Sequence, residues 1–201
     1  MGTLLLVRHG ESEWNSLHLW TGLTNISLSS QGEAEARLAG AKIRSIIINR
    51  AYTSVLRRAI ETLDEIKTQL MQPSFPITHA KELDERDYGI YTGKNKWDIE
   101  KTVGKEMFLK IRRGWDVPIK NGESLENVYA RVVPYFEKHI LPKLIEGETI
   151  LISAHGNSLR ALVKFLDDLS ETGVESLEIP TGQIIKYEID AEGFVHDKKI
   201  L

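Results

Sequence analysis

Two segments of this 201-residue chain place the same chemistry in the same setting. Thr3 to Gly10 and Thr149 to Gly156 each run through a short apolar stretch directly into His-Gly and then a polar residue, at His9 and His155. Six histidines and 15 glycines give roughly 0.4 His-Gly pairs by chance, so the placement carries the weight rather than the dipeptide. Taken singly, a histidine closing a strand is by about three to one a satisfied, partly buried side chain. A pair in identical settings reverses that preference. Ligands of open α/β sheets sit outside the carboxyl ends of the strands, so neighbouring strands would deliver both imidazoles to one pocket.

The chemistry open to such a pair is nucleophilic, acid–base or metal-ligating. His9, Glu11, Glu85 and His155 are the candidate metal ligands. No HExxH spacing accompanies them, and Arg8 beside His9 repels a cation, so no metal is expected. Arginines point to an anion instead. Arg8 adjoins His9, Arg57-Arg58 opens the helix expected after the second strand, and Arg112-Arg113 precedes Gly114. Planar guanidinium forks match phosphate oxygens, and in a chain of net charge −3 such a cluster makes a local dianion pocket. Ser12, Asn15, Thr21 and Gly22 offer hydroxyl, amide and backbone donors nearby. Neither GxxxxGK[ST] nor GxGxxG occurs, so nucleotide is not indicated. Phosphoryl transfer through histidine also needs an acid for the departing oxygen. Glu82 to Gly89 is the richest carboxylate cluster, and spacing alone leaves the choice among its acids open.

Strands are expected at Thr3–Val7, Ala51–Thr53, Ile77–Ala80, Thr149–Ser153 and, last in the chain, Ile184–Ile189. Ser30 and Glu33 form a capping box for a first helix bearing Ala34, Leu38, Ala41 and Ile43 on one face. A second helix carries the stripe Leu56, Ile60, Leu63, Ile66 and Leu70, closed by Pro73. Short helices are expected around Ile99 and Phe108, a long one after Ser124 that Pro134 and Pro142 kink or end, and another, entered through His155-Gly156-Asn157, that contains Leu159, Leu162, Val163 and Leu166. This alternation predicts an α/β fold: a three-layer α/β/α sandwich on a mostly parallel central sheet, as one domain over residues 1–201.

With 41% hydrophobic residues the chain has material for one ordinary core. Cysteine is absent, which excludes disulfides and thiolate metal sites, and no signal or bilayer-spanning stretch is found, so a cytoplasmic protein is expected. Charged residues of both signs, 27% in all, give no general attraction for nucleic acid or membrane.

The chemical residues lie within ordered motifs: LVRHGESEWN from Leu6, Thr21-Gly22, YTSVLRRA from Tyr52, ERDYG from Glu85, and AHGNSLRALVKFL from Ala154. Together, over about residues 3 to 189, they resemble the cofactor-dependent phosphoglycerate mutases of the histidine phosphatase superfamily. The resemblance implies the phosphoglycerate mutase-like fold and an isomerase acting through phosphohistidine in glycolysis and gluconeogenesis. It implies His9 as the phosphorylated nucleophile, Glu85 as the acid and later base, and Arg8, Arg58 and His155 around the transferred group. Ser12, Asn15, Thr21, Gly22, Tyr88, Lys96, Arg112, Arg113, Gly156 and Asn157 would bind the rest of the substrate; Lys96 emerges from the resemblance alone. The implied cofactor is 2,3-bisphosphoglycerate as primer, without metal. The implied partners are small phosphoglycerates, with neither nucleic acid nor membrane, and a homodimer as the assembly to test.

Three departures stand out. The stretch from Arg113 to Glu123 is shorter than in longer mutases, the chain stops at Leu201 without their C-terminal tail, and Asp87 stands where ERHYG would have histidine. A tail over the site helps keep water from phosphohistidine, so its absence is expected to raise phosphatase leakage. A phosphatase using the same His9, with water as acceptor, is therefore the alternative. Activity is expected to fall in mild acid as His9 takes up a proton.

Overall fold

The computed structural model describes residues 1–201. Six strands are present: β1 (Gly2–Arg8), β2 (Arg50–Thr53), β3 (Ile77–His79), β4 (Thr149–Ala154), β5 (Ile184–Ile189) and β6 (Val195–Ile200). They form one sheet of order β3-β2-β4-β1-β5-β6, in which the first four in that order pair parallel and β5 and β6 pair antiparallel. Helices are α1 (Glu13–Ser16), α2 (Ser30–Lys42), α3 (Arg57–Gln69), α4 (Lys96–Val103), α5 (Lys105–Arg113), α6 (Leu125–His139), α7 (Leu141–Ile145), α8 (Gly156–Leu166) and α9 (Glu171–Ser176). The mostly parallel α/β architecture is as the sequence indicates.

The unbroken apolar run of β1 follows from burial on both faces. Leu4 and Leu6 pack with α6 and α8, whereas Leu5 and Val7 pack with α2 and α3. All four are fully buried, each worth roughly 1.5–3 kcal/mol. β4 repeats the pattern, with Ile150 and Ile152 on one side and Leu151 on the other. Register then decides what matters for function. Val7 pairs with Ser153 and Arg8 with Ala154, so the residues that follow the two strands emerge side by side. A third apolar cluster, Trp20, Tyr88, Ile99, Phe108, Ile111 and Ile119, holds the α4–α5 segment against the loops at that end of the sheet.

Several expectations need correction. The N-cap of α2 is Ser29, whose side chain accepts from Gly32 N–H, rather than Ser30. The buried face of α2 is Gly32, Ala36, Ala39 and Gly40, leading to Ile43, whereas Leu38 is 66% exposed. Small residues were needed because α2 lies close on α3: a Cβ on Gly40 would come within 2.8 Å of the Ile66 carbonyl. Pro134 sits inside α6 without ending it, and Pro142 lies in the first turn of α7, where its missing N–H costs nothing. Ile184–Ile189 is not the last strand. β6 follows it and α9 precedes it, neither of which the apolar pattern announced.

Candidate active site

His9 and His155 meet at the carboxyl ends of β1 and β4, their ring centroids 5.0 Å apart with planes inclined by 60°. Both are buried, and His9 N–H donates to Ala154 O at 2.9 Å, extending the strand pairing by one bond. His9 Nδ1 lies 2.6 Å from Gly10 O. A carbonyl only accepts, so Nδ1 carries the proton and Nε2 presents the lone pair. Gly10 is required at this turn because its backbone lies against α2: a Cβ there would stand 2.1 Å from Gly32 O. Gly156 makes room in the other direction, since its Cβ position is 3.5 Å from Arg8 Nε and 3.7 Å from Glu85 Oε2. Neither glycine adopts positive φ, so close approach rather than turn geometry explains both.

Arg58, in the first turn of α3, is 1% exposed and donates Nη1 to Thr24 O and Nη2 to Gly22 O, both at 2.9 Å. Those bonds aim its Nε at His9 Nε2, 3.3 Å away. Arg8 donates Nη1 to Ile179 O at 2.6 Å, and its buried Nε has no partner. His155 Nε2 stands 2.6 Å from Ser54 Oγ, which in turn accepts from Leu56 N–H.

Glu85 is fixed by one oxygen and free at the other. Its Oε1 accepts from Arg86 N–H at 2.7 Å, Asn157 N–H at 3.2 Å and Asn157 Nδ2 at 2.9 Å, while Oε2 has no donor. The same Asn157 amide nitrogen donates to Tyr88 OH, and Asn157 Oδ1 accepts from Arg160. Arg131 holds the loop that carries Glu85, donating to the carbonyls of Glu82, Asp84 and Glu85 and pairing with Glu123.

Around these groups lie two contiguous compartments. The inner one is lined by His9, Asn15, Thr21, Gly22, Arg58 and Lys96, with Leu19 and Trp20. The outer one is lined by Arg113, Gly156, Asn157, Arg160, Glu178 and Ile179. Arg8, Glu85, Tyr88 and Arg112 line both and form the wall that they share. Of the fifteen residues singled out in the sequence, only Ser12 and His155 line neither. His155 reaches the site by its contact with the His9 ring. Ser12 is fully buried and caps α1 in a reciprocal pair with Asn15, so its hydroxyl shapes the loop instead of facing a ligand. Glu11 turns its carboxylate to Ser29, away from the histidines. Asp87 Oδ1 accepts from Gly89 N–H and closes the turn after Glu85. No group of three or more histidine, aspartate or glutamate side chains is placed to hold a metal ion.

Burial and positive neighbours set the charge states. Burial, then the fields of Arg58 and Arg8, hold His9 well below the usual imidazole value of 6.5. Burial, with Arg58 and His9, does the same to His155. The shift favours the neutral form of the His9 ring in acid, opposite to the protonation on which the expected acid loss of activity rests. Burial lowers Arg58 to about 10, leaving it charged at neutral pH. Lys96 is lowered to about 8 by burial and by the nearby cations Arg112 and Arg8.

Four residues outside the sequence reading complete the site. Arg86 and Arg160 are buried and donate to the last carbonyls of α5, Arg86 to Ile111 and Arg112, Arg160 to Arg113. They neutralise the negative helix end and fix the Arg112-Arg113 pair. Ser54 orients His155, and Glu178 lies 2.7 Å from Arg113. Arg86, Arg160 and Ser54 lie inside motifs quoted above, but nothing in a linear pattern distinguishes a charged side chain turned inward.

A family model described as Histidine phosphatase superfamily (branch 1) matches residues 4–199. The chain is 47% identical over 200 residues to a protein of Parvibaculum lavamentivorans named 2,3-bisphosphoglycerate-dependent phosphoglycerate mutase, covering 98% of this chain and 95% of that one. A protein of the same name from Bradyrhizobium diazoefficiens is 46% identical over 197 residues, covering 97% and 95%. Among solved structures, the mycobacterial glucosyl-3-phosphoglycerate phosphatase superposes with a TM-score of 0.84 at 19% identity, covering 100% of this chain and 97% of that one, a likeness of fold.

Proposed function

The chain belongs to the histidine phosphatase superfamily, and on that premise we propose that it is a 2,3-bisphosphoglycerate-dependent phosphoglycerate mutase, interconverting 2- and 3-phosphoglycerate through a phosphohistidine at His9. The observation that carries this reading is the pair of cationic compartments joined at Glu85. A phosphatase needs one anion pocket beside the nucleophile. A mutase must hold a second anionic group while the first is transferred, and Arg112, Arg113 and Arg160 supply that outer site.

The chemistry follows from the geometry. His9 Nε2 attacks phosphorus as the bond to the substrate oxygen breaks, and Glu85 delivers the proton that oxygen needs from its free Oε2. Gly10 O stabilises the positive charge that the phosphorylated ring acquires through Nδ1–H. Arg8 and Arg58 oppose the charge on the phosphoryl oxygens, assisted by His155. For the return step Glu85 removes the proton from the acceptor hydroxyl, the P–N bond breaks, and His9 is again neutral. The donors suit a bisphosphate: the buried Arg8 Nε and Thr21 Oγ1 have no partner within the protein. When bound, 2,3-bisphosphoglycerate would supply the phosphoryl group that charges His9; Arg8, Arg58 and Lys96 of the inner compartment would hold that group, and Arg112, Arg113 and Arg160 its other anionic groups. A cytoplasmic location belongs to the same proposal; it is supported by the absence of cysteine, and no helix is long and apolar enough to cross a membrane.

A coupled assay with 3-phosphoglycerate, with and without the bisphosphate, tests the reading. Isomerisation that requires catalytic amounts of primer is the expected result. Free phosphate released faster than isomer would replace the mutase with the phosphatase alternative, and no turnover at all would replace it with a phosphate-binding protein.

A further inference from the structure

Glu178 adds a second carboxylate, besides Glu85, to an outer compartment whose other charged lining residues are Arg8, Arg112, Arg113 and Arg160. Its Oε1 accepts from Arg113 Nη2 at 2.7 Å and stands 3.9 Å from Arg112 Nη2. The side chain is 62% exposed, and the Arg113 guanidinium is its only hydrogen-bond partner. Its backbone, by contrast, is tied to the site, because the next residue, Ile179, accepts from Arg8. Arg113 is engaged on its other nitrogen by Leu177 O at 3.0 Å. In the free enzyme, therefore, an internal carboxylate takes the place on the arginine pair that a substrate anion has to take. The Arg113 bond holds the carboxyl below the usual carboxylate range, keeping it ionised across neutral pH.

We propose that Glu178 is a charge-selecting residue: its carboxylate competes for Arg112 and Arg113 and repels the ligand that displaces it, so that binding is penalised in proportion to ligand charge. The proposal rests on the phosphoglycerate reading of this site and adds to it an asymmetry between ligands. The bisphosphate, with two dianionic groups and a carboxylate, meets more repulsion than either monophosphoglycerate. Glu178 thereby keeps the primer from occupying the site at the expense of the substrates.

Glu178→Gln tests this, because glutamine retains the length and an acceptor for Arg113 while removing the charge. Affinities for 3-phosphoglycerate and 2,3-bisphosphoglycerate are measured by titration calorimetry in a His9→Asn background, which cannot take up the phosphoryl group. The expected result is tighter binding of 3-phosphoglycerate by about two- to fivefold, the scale of an exposed charge interaction. The gain for the bisphosphate is larger, and both gains shrink at high salt. In the His9 enzyme KM falls while kcat changes less. Unchanged or weaker binding, or an equal gain for the two ligands, overturns the proposal and leaves Glu178 as a buttress for Arg113. Glu178→Ala, with thermal unfolding measured for both variants, provides the second case and must shift affinity in the same direction. If neither phosphoglycerate binds, the functional reading fails. Phosphate against pyrophosphate then tests charge selection by the same criterion.

Discussion

Replacing Glu85 by glutamine isolates proton transfer from every other property of the site. The three donors on Oε1, at 2.7, 2.9 and 3.2 Å, are all N–H groups and demand an acceptor. A glutamine side chain can satisfy them only by placing its carbonyl oxygen where Oε1 lies, which leaves its NH2 at the position of Oε2. That group can hydrogen-bond the substrate oxygen but can neither give up nor accept a proton during the reaction. The cradle persists, so folding and ligand binding persist with it. General acid–base catalysis contributes about 10²–10⁴ in rate, which at about 1.36 kcal/mol per decade is roughly 2.7–5.4 kcal/mol of barrier. The variant is expected to lose that factor in kcat, with KM within about threefold of wild type, since an interaction made only in the transition state is removed. Steady-state mutase kinetics with saturating primer, paired with thermal unfolding, provide the readout. A kcat within tenfold of wild type, or a loss confined to KM, would refute the assignment of the proton to Glu85.

Three further outcomes follow from the same geometry. Because His9 and His155 are held well below 6.5 in the folded state, the unfolded chain binds more protons in acid, so their contribution to stability is complete above about pH 6.5 and is lost as pH falls toward the folded values. Each adds at most about 1.4 kcal/mol per pH unit to that slope, and chemical denaturation between pH 7 and 5 should show a shallower decline in His155→Asn than in wild type. Ser54→Ala deprives His155 Nε2 and Leu56 N–H of a partner in a buried site, so a loss of about 1–3 kcal/mol is expected by denaturant titration; an unchanged midpoint would remove Ser54 from the site. Gly156→Ala places a methyl at ordinary contact distance from Arg8 and Glu85, in the first turn of α8. It should leave stability within about 1 kcal/mol of wild type, yet lower kcat/KM about tenfold or more by crowding the bound ligand; unaltered kinetics would show that ligand does not occupy that space.

What the chain reveals on inspection is its repeated design. Strand-His-Gly at both His9 and His155, in a sequence of alternating strands and helices, would bring the two imidazoles into one pocket if the strands were neighbours, and the β1–β4 pairing makes them so. Apolar runs buried on both faces, such as Leu4 to Val7 and Ile150 to Ile152, are equally plain. Patterns built on large apolar residues mislead where close packing calls for small ones. In α2 the interior face is Gly32, Ala36, Ala39 and Gly40, while Leu38 faces solvent, and one serine's difference in the cap, Ser29 for Ser30, goes with that rotation. β6 escapes notice because Val195 to Ile200 is an edge strand with no fully buried residue, so no alternation marks it. Arg86, Arg131 and Arg160 read as surface charge, yet they satisfy backbone carbonyls at the end of α5 and along the Glu85 loop. Such partners are set by tertiary geometry, since they lie 25 or more residues away in the chain.

The proposed mutase reaction requires His9 Nε2 to carry the phosphoryl group from one phosphoglycerate to the other. Rapid-quench mixing of the enzyme with 2,3-bisphosphoglycerate labelled in its phosphoryl groups measures it directly. The expected product is one equivalent of acid-labile, base-stable label on His9, absent from His9→Ala and chased by unlabelled 3-phosphoglycerate into bisphosphate and 2-phosphoglycerate. Label that never appears in the wild type, that survives in His9→Ala, or that passes only to water would contradict it.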